Sequence, residues 1–411
     1  MNKTITLITS NFFPEDTAIG LYTTQLSEYL IKKGFQVTII TGFPYYPNWK
    51  IFKEYNSKPF FYEETHNNIR IIRFKQYVPS KISLISRVLM ILTFNFGLLI
   101  NFFKVRKSGL VISIIPFTTN CVFGFLFSKI YGSKFWIHIQ DFEFDLLIDS
   151  GIGNKNSLFS KLFFKLLLSF ERKLLNSADV VSSISNSMMQ KVFQKSKAND
   201  VFYFPNWVSV ENINPVTAKS HTFFDKSKYN LLYSGNIGEK QDWDFFINFC
   251  KNIKDDDNIE ITIVGKGAYY KNLVNRSACF NFIKFKDVVP YHELSDLLCS
   301  ADMHFLFQKS NVVDSVMPSK LLGMMASAKP CVVTGNKDSE VNTILSESNG
   351  GKYLFSNDPK EAYECVINLK SNEELSKKMG CAAREYVKDK FSENAVLDSF
   401  VTKINTLFYE K

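Results

Sequence analysis

Leu231–Gln241 reads LLYSGNIGEKQ, and Met317–Leu322 reads MPSKLL. In the first stretch an apolar strand, Leu231, Leu232 and Tyr233, runs into a turn carrying Ser234, Gly235, Asn236 and Gly238. The turn ends at a cation, Lys240, ahead of a helical pattern with Trp243, Phe245, Phe246 and Phe249. In the second stretch Ser319 and Lys320 follow Pro318 and open an apolar helical run, Leu321, Leu322 and Met325. Each stretch therefore sets a lysine and free backbone N–H groups at a helix N-terminus after a turn. That end of a helix carries partial positive charge and unbonded donors, so it suits an anionic phosphate. Two such places in one α/β half predict a diphosphate gripped from two sides.

Outward from there, strands and helices alternate. Strands are expected near 231–234, 260–264, 281–285, 302–307, 331–334 and 352–355. The other half begins with a strand, Thr4–Thr9, then the loop NFFPEDTAIG and a helix with Tyr22, Leu26, Tyr29 and Leu30 on one face. Asp16 or Thr17 is placed to cap that helix, and Gly20 lies near its start. Gly34 ends it and Gln36–Thr41 forms a second strand, completing a βαβ unit of a parallel sheet. Further strands are expected at Arg70–Arg73, Leu110–Ile115, Phe135–Ile139, Val180–Ile184 and Val201–Phe204. The fold class is α/β: two Rossmann-like, doubly wound parallel-sheet domains facing a cleft. Asn206 to Lys228, polar and holding Pro215, reads as the connection, and Ser371–Lys411 reads as helical throughout.

At 411 residues the chain exceeds one ordinary core, in keeping with two domains. A formal net charge of +9 favours anionic partners. The seven Cys are scattered, with no C-x-x-C and no zinc spacing, as in a reduced, cytosolic protein. The opening MNKTITLITS is a strand pattern, too short in its apolar run for a signal peptide. Val88–Phe103 is the most membrane-like stretch, flanked by Arg87, Lys104, Arg106 and Lys107. It is interrupted by Asn95 and Asn101 and is shorter than the roughly 20 residues of a spanning helix. Leu158–Phe170 mixes Phe159, Phe163, Leu166, Leu167 and Phe170 with Lys161 and Lys165. Both stretches fit amphipathic helices of a globular domain, and both fit helices resting on an anionic inner leaflet.

Seven motifs, NFFPEDTAIGLYT, GFPYYPNWK, WIHIQDFEFDLL, SSISNSMMQK, FPNW, LYSGNIGEKQ and DSVMPSKL, occur in the order seen in family 4 retaining glycosyltransferases. The chain resembles the colanic-acid and O-antigen type of that family from Thr9 to about Pro330, and again in its closing helix. The resemblance implies a GT-B fold. Residues 1–206 would be an acceptor-binding, membrane-facing domain, 207–385 a nucleotide-sugar domain, and 386–411 a helix crossing back to the first. It further implies a metal-independent enzyme without cofactor, at the inner face of the plasma membrane. The donor would be a GDP- or UDP-linked sugar such as fucose or another deoxy-hexose. The acceptor would be a sugar on undecaprenyl diphosphate, with no nucleic acid involved.

Site residues carry over by position. Lys240 matches the diphosphate-binding lysine, Ser319 and Lys320 the contact at a helix N-terminus, and Gly20 the small residue that lets backbone approach the same phosphates. Gly235 and Asn236 belong to the same donor-binding turn. His138 would reach a donor-sugar hydroxyl, and Asp141 would orient or deprotonate the acceptor hydroxyl, with Glu143 and Asp145 as alternatives. Arg87, Lys161 and Lys165 would face the acceptor and membrane. The pair of Glu common in the family is Ser315 and Gly323 here, and the usual Arg near Lys240 is Asn236, so ribose recognition and one phosphate cation depart from the pattern. Two other readings stay open at this point: a GT-B nucleotide-sugar epimerase, and a catalytically silent assembly subunit. Gly265-x-Gly267 lacks the third glycine of a dinucleotide motif and reads as a turn beside the nucleotide. Asp255–Asp257 reads as a solvated loop rather than a metal site.

Overall fold

Leu110–Ile115 (LVISII) is buried at every position, as a central strand covered on both faces must be. The computed structural model describes residues 3–81, 83–145, 158–310, 319–355 and 358–409. Its chain divides into two units, residues 1–205 with 397–411, and residues 206–396.

The first unit holds an eight-stranded sheet: β1 Thr4–Ile8, β2 Gln36–Gly42, β3 Phe61–His66, β4 Ile69–Phe74, β5 Leu110–Ile115, β6 Lys134–Ile139, β7 Val180–Ser183 and β8 Val201–Tyr203. The strand order is β3-β4-β2-β1-β5-β6-β7-β8. The expected strands of this half form, and all pair parallel. An additional strand, β3, lies antiparallel on β4 at the sheet edge. Asn67 and Asn68 join the two with φ of +46° and +63°, the left-handed pair that a tight hairpin needs.

The second unit holds β9 Tyr229–Ser234, β10 Ile259–Val264, β11 Ile283–Lys286, β12 Met303–Phe307, β13 Cys331–Thr334 and β14 Gly351–Leu354. Their order is β11-β10-β9-β12-β13-β14, with every pair parallel. In both sheets the strand order reverses once, between β1 and β5 and between β9 and β12. Loops leave that point in opposite directions, so it is where an open α/β sheet offers a crevice for ligands.

The C-terminal segment is not one continuous helix. Helices Pro359–Ser371, Glu373–Lys390 and Glu393–Tyr409 are separated at Asn372 and at Phe391–Ser392. Asn372 caps the second by accepting from the Leu375 amide at 3.0 Å, and the Ser392 hydroxyl accepts from Ala395 at 3.3 Å. Ser392 also makes an isolated parallel bridge with Val208. Polar capping residues stop the helices where apolar periodicity alone would have continued them. From Leu397 onward the last helix belongs to the first unit, burying Leu397, Phe400, Ile404 and Leu407. Phe400 stacks on Phe204 at 4.3 Å and lies 4.7 Å from Trp136.

Candidate active site

The reversal point of the second sheet falls on the Gly-rich turn. β9 delivers Tyr233, whose hydroxyl donates to the Asn236 carbonyl at 2.6 Å. Lys320, in the first turn of helix Ser319–Ala326, folds back over that turn. Its Nζ donates to Tyr233 Oη at 2.9 Å and to the Asn236 carbonyl at 3.2 Å, and lies 4.9 Å from the Tyr233 ring centroid. Gly235 makes this possible, because a Cβ there would stand 2.3 Å from Lys320 Cε. Burial lowers the Lys320 pKa to about 8, so its charge is held in a partly dehydrated place where an anion would gain most. Lys240 is exposed further along the same turn, and its carbonyl accepts from the Lys309 amide at 3.1 Å. The structure thus joins Gly235, Asn236 and Lys320. Tyr233, which the sequence suggested only as core, is what holds the lysine.

The glycines of IVGKG have a local cause. A Cβ on Gly265 would meet the Gly235 carbonyl at 1.9 Å, and one on Gly267 the Ile237 carbonyl at 2.2 Å. The two turns therefore touch backbone to backbone. One expectation needs correcting. The N-terminus of helix Trp243–Cys250 is not wholly free, because Asp242 caps it by accepting from the Phe245 amide at 2.9 Å. The chain's own carboxylate already takes part of that positive end. Gly323 lies inside helix Ser319–Ala326, and a side chain there would meet Leu298 and Ile213 at 3.4 and 3.9 Å. Ser315, Met317 and Pro318 lie outside the described residues, as does the side chain of Ser319. Asp257 accepts from the Lys254 amide at 2.7 Å and from Tyr363 at 3.3 Å within its polar loop.

In the first sheet, the loop after β1 folds tightly onto helix Ala18–Lys32. Thr17 occupies the N-cap position without a side-chain cap bond. Thr23 and Thr24 do the anchoring, taking the Asn11 carbonyl and the Phe13 amide at 3.0 Å each. Gly20 is required because a Cβ would sit 2.7 Å from the Glu15 carbonyl. Glu15, which the sequence did not single out, is 2% exposed, and its Oε1 accepts from the Tyr45 and Tyr46 amides at 2.7 Å. Burial raises its pKa. It fixes the aromatic loop that follows β2.

His138 departs from the expected role. Its ring is buried, with Nδ1 2.9 Å from Ser182 Oγ and Nε2 2.9 Å from the Gln140 amide nitrogen. Ser182 also accepts from Trp136 Nε1 at 2.7 Å. Burial drives the His138 pKa down to about 3, so the ring is neutral and accepts the Gln140 N–H through Nε2. Both ring nitrogens are used inside the sheet, and the polar group carried to the end of β6 is Gln140, followed by Asp141. Glu143 Oε2 accepts from the Thr118 amide at 2.7 Å, at the end of β5. Asp145 forms ion pairs with Lys195 and with Lys191, the latter at 3.4 Å. Glu143 and Asp145 are thus both tied into the structure around the end of β6.

The two apolar stretches become helices Leu84–Phe102 and Leu158–Leu175 of the first unit. The first turns Met90, Phe94, Leu98 and Asn101 toward the sheet, where the Asn101 amide donates to the Arg73 carbonyl at 3.3 Å. Asn95 donates to Thr119 at 3.1 Å, so both asparagines that interrupt the stretch serve the fold. Its apolar window, Ile85–Phe102, is only 28% buried, with Leu92 and Phe96 60% and 56% exposed. Helix Leu158–Leu175 exposes Leu162, Phe163, Leu166 and Phe170. Arg87, Lys161 and Lys165 are exposed on the same two helices. Such apolar surface is more than a monomer's solvated face usually carries.

A family model described as glycosyl transferases group 1 matches residues 228–372, which include the Gly-rich turn and Lys320. The chain is 30% identical over 407 residues to a protein of Escherichia coli K12 named as a colanic acid biosynthesis glycosyl transferase, WcaI. The alignment covers 96% of this chain and 98% of that one. Among solved structures, sucrose-phosphate synthase of Thermosynechococcus elongatus superposes with a TM-score of 0.73 at 13% identity, covering 99% of this chain and all of its own. HepE of Anabaena, solved in complex with UDP, gives 0.69 at 11% identity, covering 98% of this chain and all of its own. The fold shared with these neighbours is GT-B.

Proposed function

Since the chain belongs to the glycosyl transferases of group 1, we propose that it moves a sugar from a nucleotide diphosphate onto a sugar carried by undecaprenyl diphosphate, with retention at the anomeric carbon. The product would be a repeat of an exopolysaccharide, capsule or O-antigen; the name of the E. coli relative refers to one polysaccharide, colanic acid. The second unit takes the donor and the first the acceptor. Lys320 carries the reading: a partly dehydrated ammonium set over a glycine turn at the reversal point of a parallel sheet. The bond from C1 to the diphosphate oxygen breaks as the acceptor oxygen bonds C1, and the departing phosphate receives the acceptor's proton. Lys320 and Lys240 stabilise the charge that grows on the diphosphate. Asp141 orients the incoming hydroxyl, and Gln140, held by His138, lines the same strand end. No metal is required in this scheme, since the lysines supply the positive charge.

The lipid carrier gives the exposed helices a use. Helices Leu84–Phe102 and Leu158–Leu175 rest on the anionic inner leaflet, with Arg87, Lys161 and Lys165 toward the headgroups. The test is a thermal-shift panel of UDP- and GDP-linked sugars, because a ligand of the native state raises its stability. The sugar that stabilises the protein is then offered with an undecaprenyl-diphosphate-linked acceptor, and the anomeric configuration of the product is read by NMR. Stabilisation by none of the panel, or an inverted product, would sink the reading.

A further inference from the structure

Beside the end of β6 lies a cluster of charges that the scheme above does not use. Lys195, the last residue of helix Asn186–Lys195, points its Nζ between Asp145 and Glu171. The Glu171 contact is 2.8 Å, and Glu171 is 2% exposed. The same ammonium lies 4.5 Å from the centroid of the Phe142 ring. Arg172 Nε donates to the Lys195 carbonyl at 2.9 Å, so helix Leu158–Leu175 grips both ends of this residue. One side chain thereby ties three elements together: the segment after β6, the helix with the exposed apolar face, and the helix after β7.

The chemistry is unusual for a plain structural pair. Glu171 is kept inside the unit although burial raises its pKa, with Lys195 opposing that shift. A buried ion pair contributes little net stability compared with an apolar filling of the same volume. What it does supply is direction, because a charge-assisted bond and a cation–π contact fix both distance and angle. The element fixed here is Phe142–Asp145, which follows Gln140 and Asp141 without a break. On its other side Glu143 pins the same segment to the Thr118 amide at 2.7 Å.

We infer that Lys195 is a positioning residue for the transfer site: through Asp145, Phe142 and Glu171 it sets where the Gln140–Asp141 strand end stands. The inference rests on the reading of Asp141 as the residue that meets the acceptor. Misplacing a reacting group by about 1 Å can cost about a hundredfold in rate without touching the donor's binding groups.

Lys195→Met alone would strand a buried carboxylate, so the informative variant is Glu171→Gln combined with Lys195→Met, which removes both charges. Turnover with the nucleotide sugar found in the panel should fall at least about tenfold, with KM for that sugar within about twofold. Amides of residues 139–145 should exchange with deuterium at least about tenfold faster, while the melting temperature stays close to wild type. Lys195→Arg, which keeps the charge, should regain most of the turnover. Wild-type turnover and exchange in the double variant would overturn the inference. So would a general loss of stability with all amides of the unit exchanging faster, since that marks a merely structural pair. Asp141→Asn is measured in parallel: full turnover there would remove Asp141 from the site, while the exchange at 139–145 still decides the case for Lys195.

Discussion

The reversal points of the two sheets are built from opposite materials. In the second unit, glycine lets backbone meet backbone, Gly265 against the Gly235 carbonyl, and among the described residues Lys320 is held by a phenol, a carbonyl and the face of a ring. In the first unit, carboxylates predominate and are engaged: Glu15 by two amides, Glu143 by one, and Asp145 by two lysines. A cation held by neutral groups suits a ligand that brings its own negative charge. A scaffold whose carboxylates are already engaged by amides and lysines suits a neutral, hydroxyl-rich ligand that must be oriented rather than neutralised.

The contrast can be broken most directly at Lys320. Replacing it with Ala should lower turnover by about a hundred- to a thousandfold, the cost of losing one preorganised charge donor, roughly 3–4 kcal/mol. Lys240→Ala should follow in the same direction. Near-normal kcat in Lys320→Ala would leave the second unit without its distinguishing charge.

A smaller effect is expected from the glycine contact. Gly267→Ala places a Cβ 2.2 Å from a backbone oxygen, which cannot yield as a side chain would. Overpacking of this kind costs about 1–3 kcal/mol, read as a lower urea midpoint at an unchanged slope. An unchanged midpoint would mean that the two turns do not need to touch.

Next comes pH. Lys320 sits near pKa 8 in the free protein because burial disfavours its charge, and a bound diphosphate would restore the proton. Binding then takes up a proton, so affinity for UDP or GDP should weaken by about tenfold between pH 7 and 9. Calorimetry at the two pH values checks it. Lys320→Arg should flatten the profile, since a guanidinium stays charged throughout.

The surface of the first unit gives the mildest effect. Flotation with anionic vesicles should weaken on changing Lys161 and Lys165 to Glu, at about 1 kcal/mol for each basic residue lost. Salt should weaken it further by screening. Equal recovery with neutral vesicles in high salt would assign the attachment to apolar insertion instead.

Much of this was legible in the chain because parallel strands are written as unbroken runs. LVISII and IEITIV leave no other use for their residues once both faces are covered. Phe61–His66 was missed because this edge strand, FYEETH, carries four polar residues in a row and no apolar run, and its signal lay in the Asn67–Asn68 turn rather than in the strand. The place of Lys320 in the first turn of a helix was readable from Pro-Ser-Lys before an apolar run. Tyr233 was not, since an aromatic residue ending a buried strand looks like core, and its hydroxyl declares itself only in three dimensions. His138 was misplaced for a related reason. Trp136, His138 and Gln140 alternate onto one face of β6, so their polar groups bond to one another and to Ser182, and only the outermost reaches the strand end. Nothing in local periodicity marks Lys195, whose partners stand 24 and 50 positions away.

The return of the last helix to the first unit sets an order on synthesis. Phe400 completes the cluster around Trp136 and Phe204, and ion pairs join Lys33 to Asp398 at 2.6 Å and Lys403 to Asp200 at 2.5 Å. None of these contacts can form until the ribosome has made the whole of residues 206–396, which at about 5–20 residues per second takes on the order of tens of seconds. Through that interval the nascent first unit carries an open aromatic groove where Phe400 will lie, in addition to its exposed apolar helices. A chain released without residues 393–411 should therefore be the form that chaperones retain, even though every strand of both sheets is present in it.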